Sequence, residues 1–523
     1  MKLSVLLHET GIKCPEDIRD TAEKTEITGI AFDSRKVEEG NLFVCLTGEH
    51  TNGHIYAADA AWKGAAAVLT EEDIGERPFP VIRVESTRAV LARVAKAFYG
   101  NPAGDMRIQG VTGTNGKTTV TYMLQRIFTQ EGRDCGVIGT IGYHVGAGSK
   151  DRDAGRTTPE SFEIWDLLSA MHKNGLTDCA MEVSSHGLAL GRVEGIEFDG
   201  AVFTNLTGDH MDFHKTMEDY YQAKKKLFYM TRGVSVVNLD DGYGARLCRE
   251  LREDGKEVYS CSLSDPDADF YGKTGCLTER GSTVELYRRT GDAARGAGNS
   301  LLCELRLSVP GLFNVYNAVE AAACGVLLGI PPEDVAAALA DFGGAPGRFE
   351  LVPNDRDMTV IVDYAHTPDA LENVLRTARS FTKGRLITVF GCGGDRDRSK
   401  RPVMGRIAGM LADLSIITSD NPRTESQEVI SAEIEAGMKE TGGRYEVIEG
   451  RKEAIERALK RYEPGDVIVI AGKGHETYQL IGGSKNYFSD RDTVRRALKE
   501  VKDESTYNQT NCAGSKGEPC QRR

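Results

Sequence analysis

Short apolar runs recur along this chain, separated by longer stretches with helical spacing. Leu42-Phe43-Val44-Cys45-Leu46 and Ala66-Ala67-Val68-Leu69 read as strands, with a helical stretch at 56–63 between them. Tyr99-Gly100-Asn101-Pro102-Ala103-Gly104 is rich in turn formers and predicts a linker. Arg107-Ile108-Gln109 then predicts a short strand, and 120–128, apolar at 120, 123, 124 and 127, a helix. Strands follow at 200–203 and Val234-Ser235-Val236-Val237, and a helix at 312–328. Residues 265–305 differ: alternating patterns around a polar, Gly-rich 290–299 suggest an antiparallel excursion with an exposed loop. Beyond Pro346-Gly347, the runs at 360–362, 386–390, 414–417 and 467–470 are spaced by helices, which predicts a second doubly wound α/β unit.

Composition narrows the class. At 523 residues the chain is too long for one core, and about three domains are expected. Hydrophobic content of 40% with 27% charged residues is that of an ordinary globular protein. No run approaches the ~18 apolar residues of a membrane span, and the N-terminus turns polar at His8-Glu9. A cytosolic chain without membrane insertion is expected. Twelve cysteines without any C-x-x-C pair argue against a disulfide framework and a zinc site, and favour buried small hydrophobes. The net charge of −13 disfavours nucleic acid as a partner and requires local cations for any anionic substrate. The expected boundaries are 1–100, 101–345 and 346–503, with 504–523 a disordered tail poor in apolar residues.

Candidate chemistry begins at residues 110–119, Gly-Val-Thr-Gly-Thr-Asn-Gly-Lys-Thr-Thr, between the strand and the helix. Glycines allow successive N–H groups to face an anion, and the helix N-terminus adds partial positive charge. Lys117 reaches outer phosphates and Thr118 offers a hydroxyl to Mg²⁺. The first glycine falls one place off the standard G-x-x-x-x-G-K-[ST] spacing, at 110. The segment predicts a nucleoside-triphosphate site.

Other segments are more open. Glu182, in Met181–Gly187 terms the second residue after a strand-like run, is a candidate Mg²⁺ ligand or a solvated loop carboxylate. Residues 204–214 place Asp209, His210, Asp212 and His214 together, which suits a metal or phosphate role for some of them. Lys224-Lys225-Lys226 reads as a solvated basic face, or as a source of one lysine with a lowered pKa able to take up CO₂ as a carbamate. Asn314 and Asn317 are helix caps or readers of a base edge. Arg348, after Pro-Gly, is placed to reach a phosphate. Gly391-Cys392-Gly393-Gly394-Asp395-Arg396-Asp397-Arg398-Ser399-Lys400-Arg401 gathers four cations within six residues and reads as an anion site or a charged surface loop. With Asp420-Asn421-Pro422-Arg423 and Gly472-Lys473-Gly474-His475-Glu476, three strand ends converge on one side of a sheet. Arginines for carboxylates, with Asp420 and Glu476 for an ammonium, suit a zwitterionic amino acid.

Together these segments resemble the Mur ligase family and, within it, the UDP-N-acetylmuramoyl-tripeptide synthetases, over about residues 27–500. Gly113-Thr114-Asn115-Gly116-Lys117-Thr118-Thr119 is shared with folylpolyglutamate synthetases as well. Phe32-Asp33-Ser34-Arg35, Thr157-Thr158-Pro159, Glu182–Gly187, Asp209–His214, the run 362–368 and Gly472–Glu476 are more selective. The resemblance implies an α/β fold of three domains: a small N-terminal α/β domain, a central P-loop-type ATPase domain with a mostly parallel sheet, and a C-terminal Rossmann-like α/β domain. It implies ATP-dependent ligation of meso-2,6-diaminopimelate to UDP-MurNAc-L-Ala-D-Glu through an acyl phosphate, by a monomer with ATP and Mg²⁺. The same ligation with L-lysine or another amino acid, or a folylpolyglutamate-type ligase, is the alternative, as is a catalytically silent scaffold.

Residue by residue, the resemblance implies Lys117, Lys224, Glu182 and His210 as catalytic. Thr118, Glu182, His210 and Lys224 as its carbamate form the metal side; the Ala-Lys-x-x-Leu-Phe pattern selects Lys224. ATP falls to Gly113, Thr114, Asn115, Gly116, Lys117, Thr118, Thr119, Asn317, Arg348 and Asp363. The UDP-MurNAc-dipeptide falls to Phe32, Ser34, Glu49, His50, Thr51, Thr157, Thr158, Ser184 and Arg192. Diaminopimelate falls to Arg396, Asp420, Asn421, Pro422, Arg423, Gly472 and Glu476. Two residues depart from the family pattern, Arg156 where asparagine is common and Leu190 where some members are polar.

Overall fold

The phosphate-loop strand, Arg107–Thr112, lies between the strands Asp178–Glu182 and Phe198–Phe203, parallel to both. In the computed structural model, which describes residues 1–48, 51–75, 77–129, 134–149, 152–290, 298–354, 356 and 358–499, contacts gather the chain into two units. Glu49, His50, the centre of the 290–299 loop and the expected tail at 504–523 lie outside the described residues.

The first unit comprises Met1–Lys273, Leu286–Cys303 and Tyr316–Leu339. Its N-terminal part is a four-stranded parallel sheet in the order Gly29–Ala31, Asn41–Val44, Ala67–Thr70, Val81–Arg83. The helix Thr87–Tyr99 packs Val90, Leu91 and Val94 into the core, is capped by Ser86 and ends at left-handed Gly100. Where a plain linker is expected at 99–104, a single 3₁₀ turn, Pro102–Asp105, follows, because Pro102 supplies the fixed φ that opens it. The expected helix at 56–63 is likewise split into a 3₁₀ turn, Gly53–Tyr56, and a helix, Ala57–Trp62.

The large sheet runs outward from the phosphate-loop strand through Phe198–Phe203, Thr231–Asn238 and Val258–Ser262, all parallel. Phe270–Thr278 joins by Cys261↔Phe270 and Ser262↔Tyr271, also in parallel, and Gly281–Thr290 and Gly298–Leu307 follow at that edge. Gly110 is inside the strand rather than in the loop. A Cβ there would lie 2.9 Å from Leu227 and the Phe198 ring, so the off-register glycine serves packing. The loop helix starts at Lys117, three residues earlier than its apolar spacing predicts. Gly116, at φ 87°, caps it, and the polar Lys117-Thr118-Thr119 form the first turn, whose N–H groups have no intrahelical partner.

The second unit comprises Thr274–Glu285, Glu304–Val315 and the chain from Ala340 onward. Its sheet has the order Glu350–Leu351, Thr359–Asp363, Val467–Ala471, Leu386–Phe390, Leu414–Ile417, Tyr445–Val447, parallel except for the first pair. Ile361, Phe390, Ile417 and Val469 pack on one helix layer, and Val360, Val389, Ile416 and Ile470 on the other. Both faces are covered, which is why these strands are apolar throughout. Among the described residues most cysteines are buried and unpaired, and no helix is long and apolar enough to cross a membrane.

Candidate active site

Four segments meet around the phosphate loop. Lys117 Nζ donates to the carbonyls of Gly113 (2.9 Å) and Thr114 (2.8 Å). Asn115 N donates to Asn205 Oδ1 at 3.0 Å, and Thr204 Oγ1 donates to Asn115 O at 2.6 Å, so the 204–205 segment holds the loop from the side. Gly116 is pressed against the 312–327 helix: a Cβ would stand 2.4 Å from Asn317 Oδ1. Thr118 Oγ1 donates to Glu182 Oε2 at 3.0 Å. Glu182 is fully buried, and its carboxylate also accepts from Thr140 N (2.8 Å) and Thr140 Oγ1 (3.0 Å). It is therefore not a solvated loop residue. Thr140 carries no motif and is missed by sequence reasoning; only its place after Gly139 at a strand end hints at it.

Of the three consecutive lysines, only Lys224 is buried, on the helix Met217–Tyr229. Lys225 pairs with Glu250 at 2.9 Å and Lys226 is exposed, so the solvated-face reading fits those two alone. Lys224 Nζ donates to Gly113 O at 2.7 Å and stands 4.6 Å from the Tyr220 ring centre. Burial, and after it the charge on Lys117, lowers the Lys224 ammonium well below the ordinary lysine value. His210 takes a left-handed backbone (φ 57°), pairs with Asp209 at 3.3 Å and stacks edge-on against His186 at 4.8 Å.

Thr157, Thr158, Ser184 and Arg192 also come together. Thr158 Oγ1 donates to Glu182 O and accepts from Ser184 N, and Arg192 Nη1 donates to Thr158 O at 3.1 Å. Thr157 Oγ1 lies 3.1 Å from Thr140 Oγ1, whose own proton goes to Glu182, so Thr157 is the donor of that pair. Behind them is Glu160, buried, with Arg192 (3.1 Å), Arg156 (2.7 Å) and Arg88 (3.2 Å) on its carboxylate. Sequence reasoning missed Glu160; its signal is the capping box with Glu163 at the start of the helix Ser161–Lys173. Phe32 packs on Phe162 at 5.3 Å, Ser34 is buried and Thr51 is exposed.

In the second unit the ends of Leu386–Phe390, Leu414–Ile417 and Val467–Ala471 are adjacent, as the sheet order requires. The four-cation anion site at 396–401 needs correcting. Arg398 pairs with Glu433, and buried Arg401 pairs with Glu425 (2.9 Å) and Glu433 (2.7 Å), because the helix Gln427–Thr441, which bears Glu433 and is preceded by Glu425, packs directly on the helix Lys400–Leu411. Arg396 is exposed, its Nη1 on Asp395 O. Asn421 Nδ2 donates to Glu476 Oε2 at 3.0 Å, and fully buried Lys473 pairs with the same oxygen at 2.8 Å. Glu476 is thus already half neutralised, while Asp420 Oδ2 is buried without a hydrogen-bond partner. Arg423, left-handed at φ 54°, donates to Gly394 O. Asn314 Nδ2 donates to Pro310 O, so that asparagine braces a turn. Arg348 lies 4.4 Å over the Tyr364 ring, and Asp363 accepts from Phe349 N and Ala365 N.

Glu182 and Thr118 supply a carboxylate and a hydroxyl oxygen side by side, the hard donors Mg²⁺ takes when phosphate oxygens and water complete its shell. An ammonium at Lys224 would repel that ion and a neutral amine would offer it a poor nitrogen donor; a carbamate there would supply the oxygen donors it takes. Among the described residues no three His, Cys, Asp or Glu side chains gather as a metal cage.

Comparison with known proteins places this geometry. Residues 26–99 match the description "Mur ligase family, catalytic domain", 111–325 "Mur ligase middle domain" and 347–474 "Mur ligase, glutamate ligase domain". A relative from Alkaliphilus metalliredigens (strain QYMF), named UDP-N-acetylmuramoyl-L-alanyl-D-glutamate–2,6-diaminopimelate ligase, is 43% identical over 479 residues, 91% of this chain and 94% of its own. One of the same name from Caldanaerobacter subterraneus subsp. tengcongensis is 44% identical over 478 residues, covering 91% and 95%. A solved structure of a ligase so named superposes with a TM-score of 0.62 at 32% identity, covering 94% of this chain and 99% of that one. The MurF ligase of Thermotoga maritima in complex with ADP, at 18% identity and a TM-score of 0.59, shares the fold. Three matched domain descriptions, together with relatives 43–44% identical over nine-tenths of the chain, show that this chain belongs to the Mur ligase family.

Proposed function

We propose that this chain is the ATP-dependent ligase that adds meso-2,6-diaminopimelate to UDP-MurNAc-L-Ala-D-Glu in peptidoglycan precursor synthesis. Relatives over nine-tenths of the chain carry that name. The observation that carries the choice of amino acid is Asp420-Asn421-Pro422-Arg423 at a strand end, which resembles the motif of the family members specific for meso-diaminopimelate, where lysine-adding members differ at the arginine; Asn421 is bonded to Glu476, and an unpartnered Asp420 oxygen lies beside it.

The D-Glu γ-carboxylate attacks the γ-phosphorus of ATP, and ADP leaves. The diaminopimelate amine then attacks the acyl phosphate carbon, the C–O bond to phosphate breaks, and the amine loses a proton as the amide forms. Lys117 turns from the loop carbonyls to the transferring phosphoryl group and neutralises its charge. Residues 113–119 hold the phosphates through backbone N–H groups, and Asn317 the nucleoside. Thr118, Glu182, His210 and carbamoylated Lys224 would hold Mg²⁺, which when bound supplies further charge neutralisation. Phe32, Ser34, Thr51, Thr157, Thr158, Ser184 and Arg192 hold the UDP-MurNAc-dipeptide, and the ordered Thr158–Arg192 contact supports that role. Arg396, Asp420–Arg423, Gly472 and Glu476 orient diaminopimelate. The rate gain comes from positioning two anions and an amine rather than from a protein nucleophile.

Phosphate release is measured with ATP, Mg²⁺ and the UDP-dipeptide, with diaminopimelate and L-lysine in parallel. Release with diaminopimelate alone supports the reading; coupling of lysine alone overturns it.

A further inference from the structure

Arg451 occupies a position that local electrostatics oppose. It is the first residue of the helix Arg451–Lys460, where a cation faces the positive end of the helix dipole, and its side chain is fully buried. Neither a helix start nor an apolar layer calls for a guanidinium there. What it touches explains it. Nε and Nη2 take both oxygens of Asp490 at 2.7 Å, itself fully buried. Nη1 donates to Ser419 O at 3.2 Å and Nη2 to Ala471 O at 2.9 Å.

Ser419 and Ala471 immediately precede Asp420 and Gly472. Their strands, Leu414–Ile417 and Val467–Ala471, are not neighbours in the sheet, since Leu386–Phe390 lies between them. Each is laddered to that middle strand, but the pairings end at Ile417 and Ile470, so no ladder joins Ser419 to Ala471. The planar fork of Arg451 spans that gap. Gln479 Nε2 adds a second tie, to Ser419 Oγ (2.9 Å) and Asp420 O (2.8 Å). Held in this way, Asp420 points Oδ2 to within 2.6 Å of where a Cβ on Gly472 would stand, buried and without a hydrogen-bond partner.

We propose that Arg451, locked by Asp490, is a positioning residue for the amino-acid substrate: it sets the spacing of the two strand ends so that Asp420 Oδ2 meets the substrate ammonium. The proposal rests on reading these strand ends as the diaminopimelate site. A lysine at 451 keeps the charge but cannot span two carbonyls and a carboxylate. Arg451→Lys is therefore expected to raise KM for diaminopimelate about tenfold, the scale of a sub-ångström misplacement. KM for ATP and for the UDP-dipeptide stays within about twofold, the split a general loss of structure would not give. The variant Arg451→Met/Asp490→Leu removes both buried charges together, which spares the fold, and is expected to show the same split. Unchanged KM for diaminopimelate in either folded variant overturns the proposal, as does loss of cooperative melting in both, which would make Arg451 purely structural. Wild-type enzyme, run alongside, separates the two levels: if it fails to couple diaminopimelate, the substrate reading falls and this inference with it.

Discussion

Lys117 and Lys224 donate to one acceptor, the Gly113 carbonyl oxygen, at 2.9 and 2.7 Å. Two ammonium groups on one oxygen repel each other, and the repulsion is resolved at the site with less water. Lys224 is the buried member, so it is the one whose pKa falls and whose neutral amine becomes available. A neutral, desolvated amine adds CO₂ to give a carbamate and a proton, converting repulsion between two cations into attraction. Lys224→Ala is expected to lower kcat by ~10²-fold or more, the scale of losing one group that stabilises a developing charge. Wild-type protein in ¹³C-bicarbonate should show a carbamate carbon resonance that the variant lacks. Unchanged turnover in the variant removes the carbamate from the mechanism.

Glu182 gives a sharper geometric test through a residue that touches no substrate. Its Oε1 lies 2.4 Å from where a Cβ on Gly139 would stand, and the carboxylate is pinned by Thr118 and Thr140. Gly139→Ala cannot be accommodated without moving that carboxylate. The expected result is a fall in kcat of about 10²-fold with a raised Mg²⁺ requirement, since a small misplacement in a preorganised site costs that much. An alanine variant with wild-type Mg²⁺ dependence would show that Glu182 does not hold the ion.

What was legible in the sequence follows from how local each feature is. The phosphate loop, Lys117 and the apolar strands could be read because a few adjacent residues specify them. Apolar spacing starts the helix three residues late because Lys117-Thr118-Thr119 serve the loop and carry no apolar periodicity. Gly110 looked like part of the cradle, yet it answers to Leu227 and Phe198, far along the chain. Arg398 and Arg401 read as anion binders because their partners lie further along the chain, Glu425 just before the next helix and Glu433 on it. Glu160 and Arg451 escaped notice for the same reason: Arg88 is 72 residues from Glu160, and Asp490 is 39 from Arg451. Pairings of buried charges across such separations leave no periodic trace.

Glu160 predicts a defect in one substrate only. It is the common acceptor for Arg88, Arg156 and Arg192, and burial would otherwise penalise the Arg192 guanidinium. Glu160→Gln keeps the shape and withdraws the charge, so the three arginines repel and Arg192 leaves Thr158. A charged hydrogen bond of this kind is worth ~1.5–3 kcal/mol, so KM for the UDP-dipeptide should rise about tenfold or more. KM for ATP should stay put. A shift in the ATP constant instead would move Glu160 to the nucleotide side.

Glu320 links pH to the stability of the phosphate loop. It is fully buried; Oε1 accepts from Asn238 Nδ2 at 3.1 Å and Oε2 has no hydrogen-bond partner. Asn238 Nδ2 also donates to Thr204 O at 3.0 Å, and Thr204 in turn holds Asn115. Burial raises the Glu320 carboxyl well above the ordinary value, Asn238 opposes this, and Asp241 adds to it. The folded chain therefore keeps a proton that the unfolded chain releases near pH ~4.3. In that window the folded state binds more protons, so stability falls as pH rises from ~4.3 toward the raised value. Glu320→Gln is neutral at every pH and retains the acceptor for Asn238. Its melting temperature should exceed wild type by about 2–4 °C at pH 8, the shift ~1 kcal/mol produces in a domain of this size, and by less at pH 5. Turnover should be preserved, because the Asn238–Thr204–Asn115 chain is intact. Equal melting temperatures at both pH values would mean that Glu320 is ionised in the folded protein and that a cation or water compensates it.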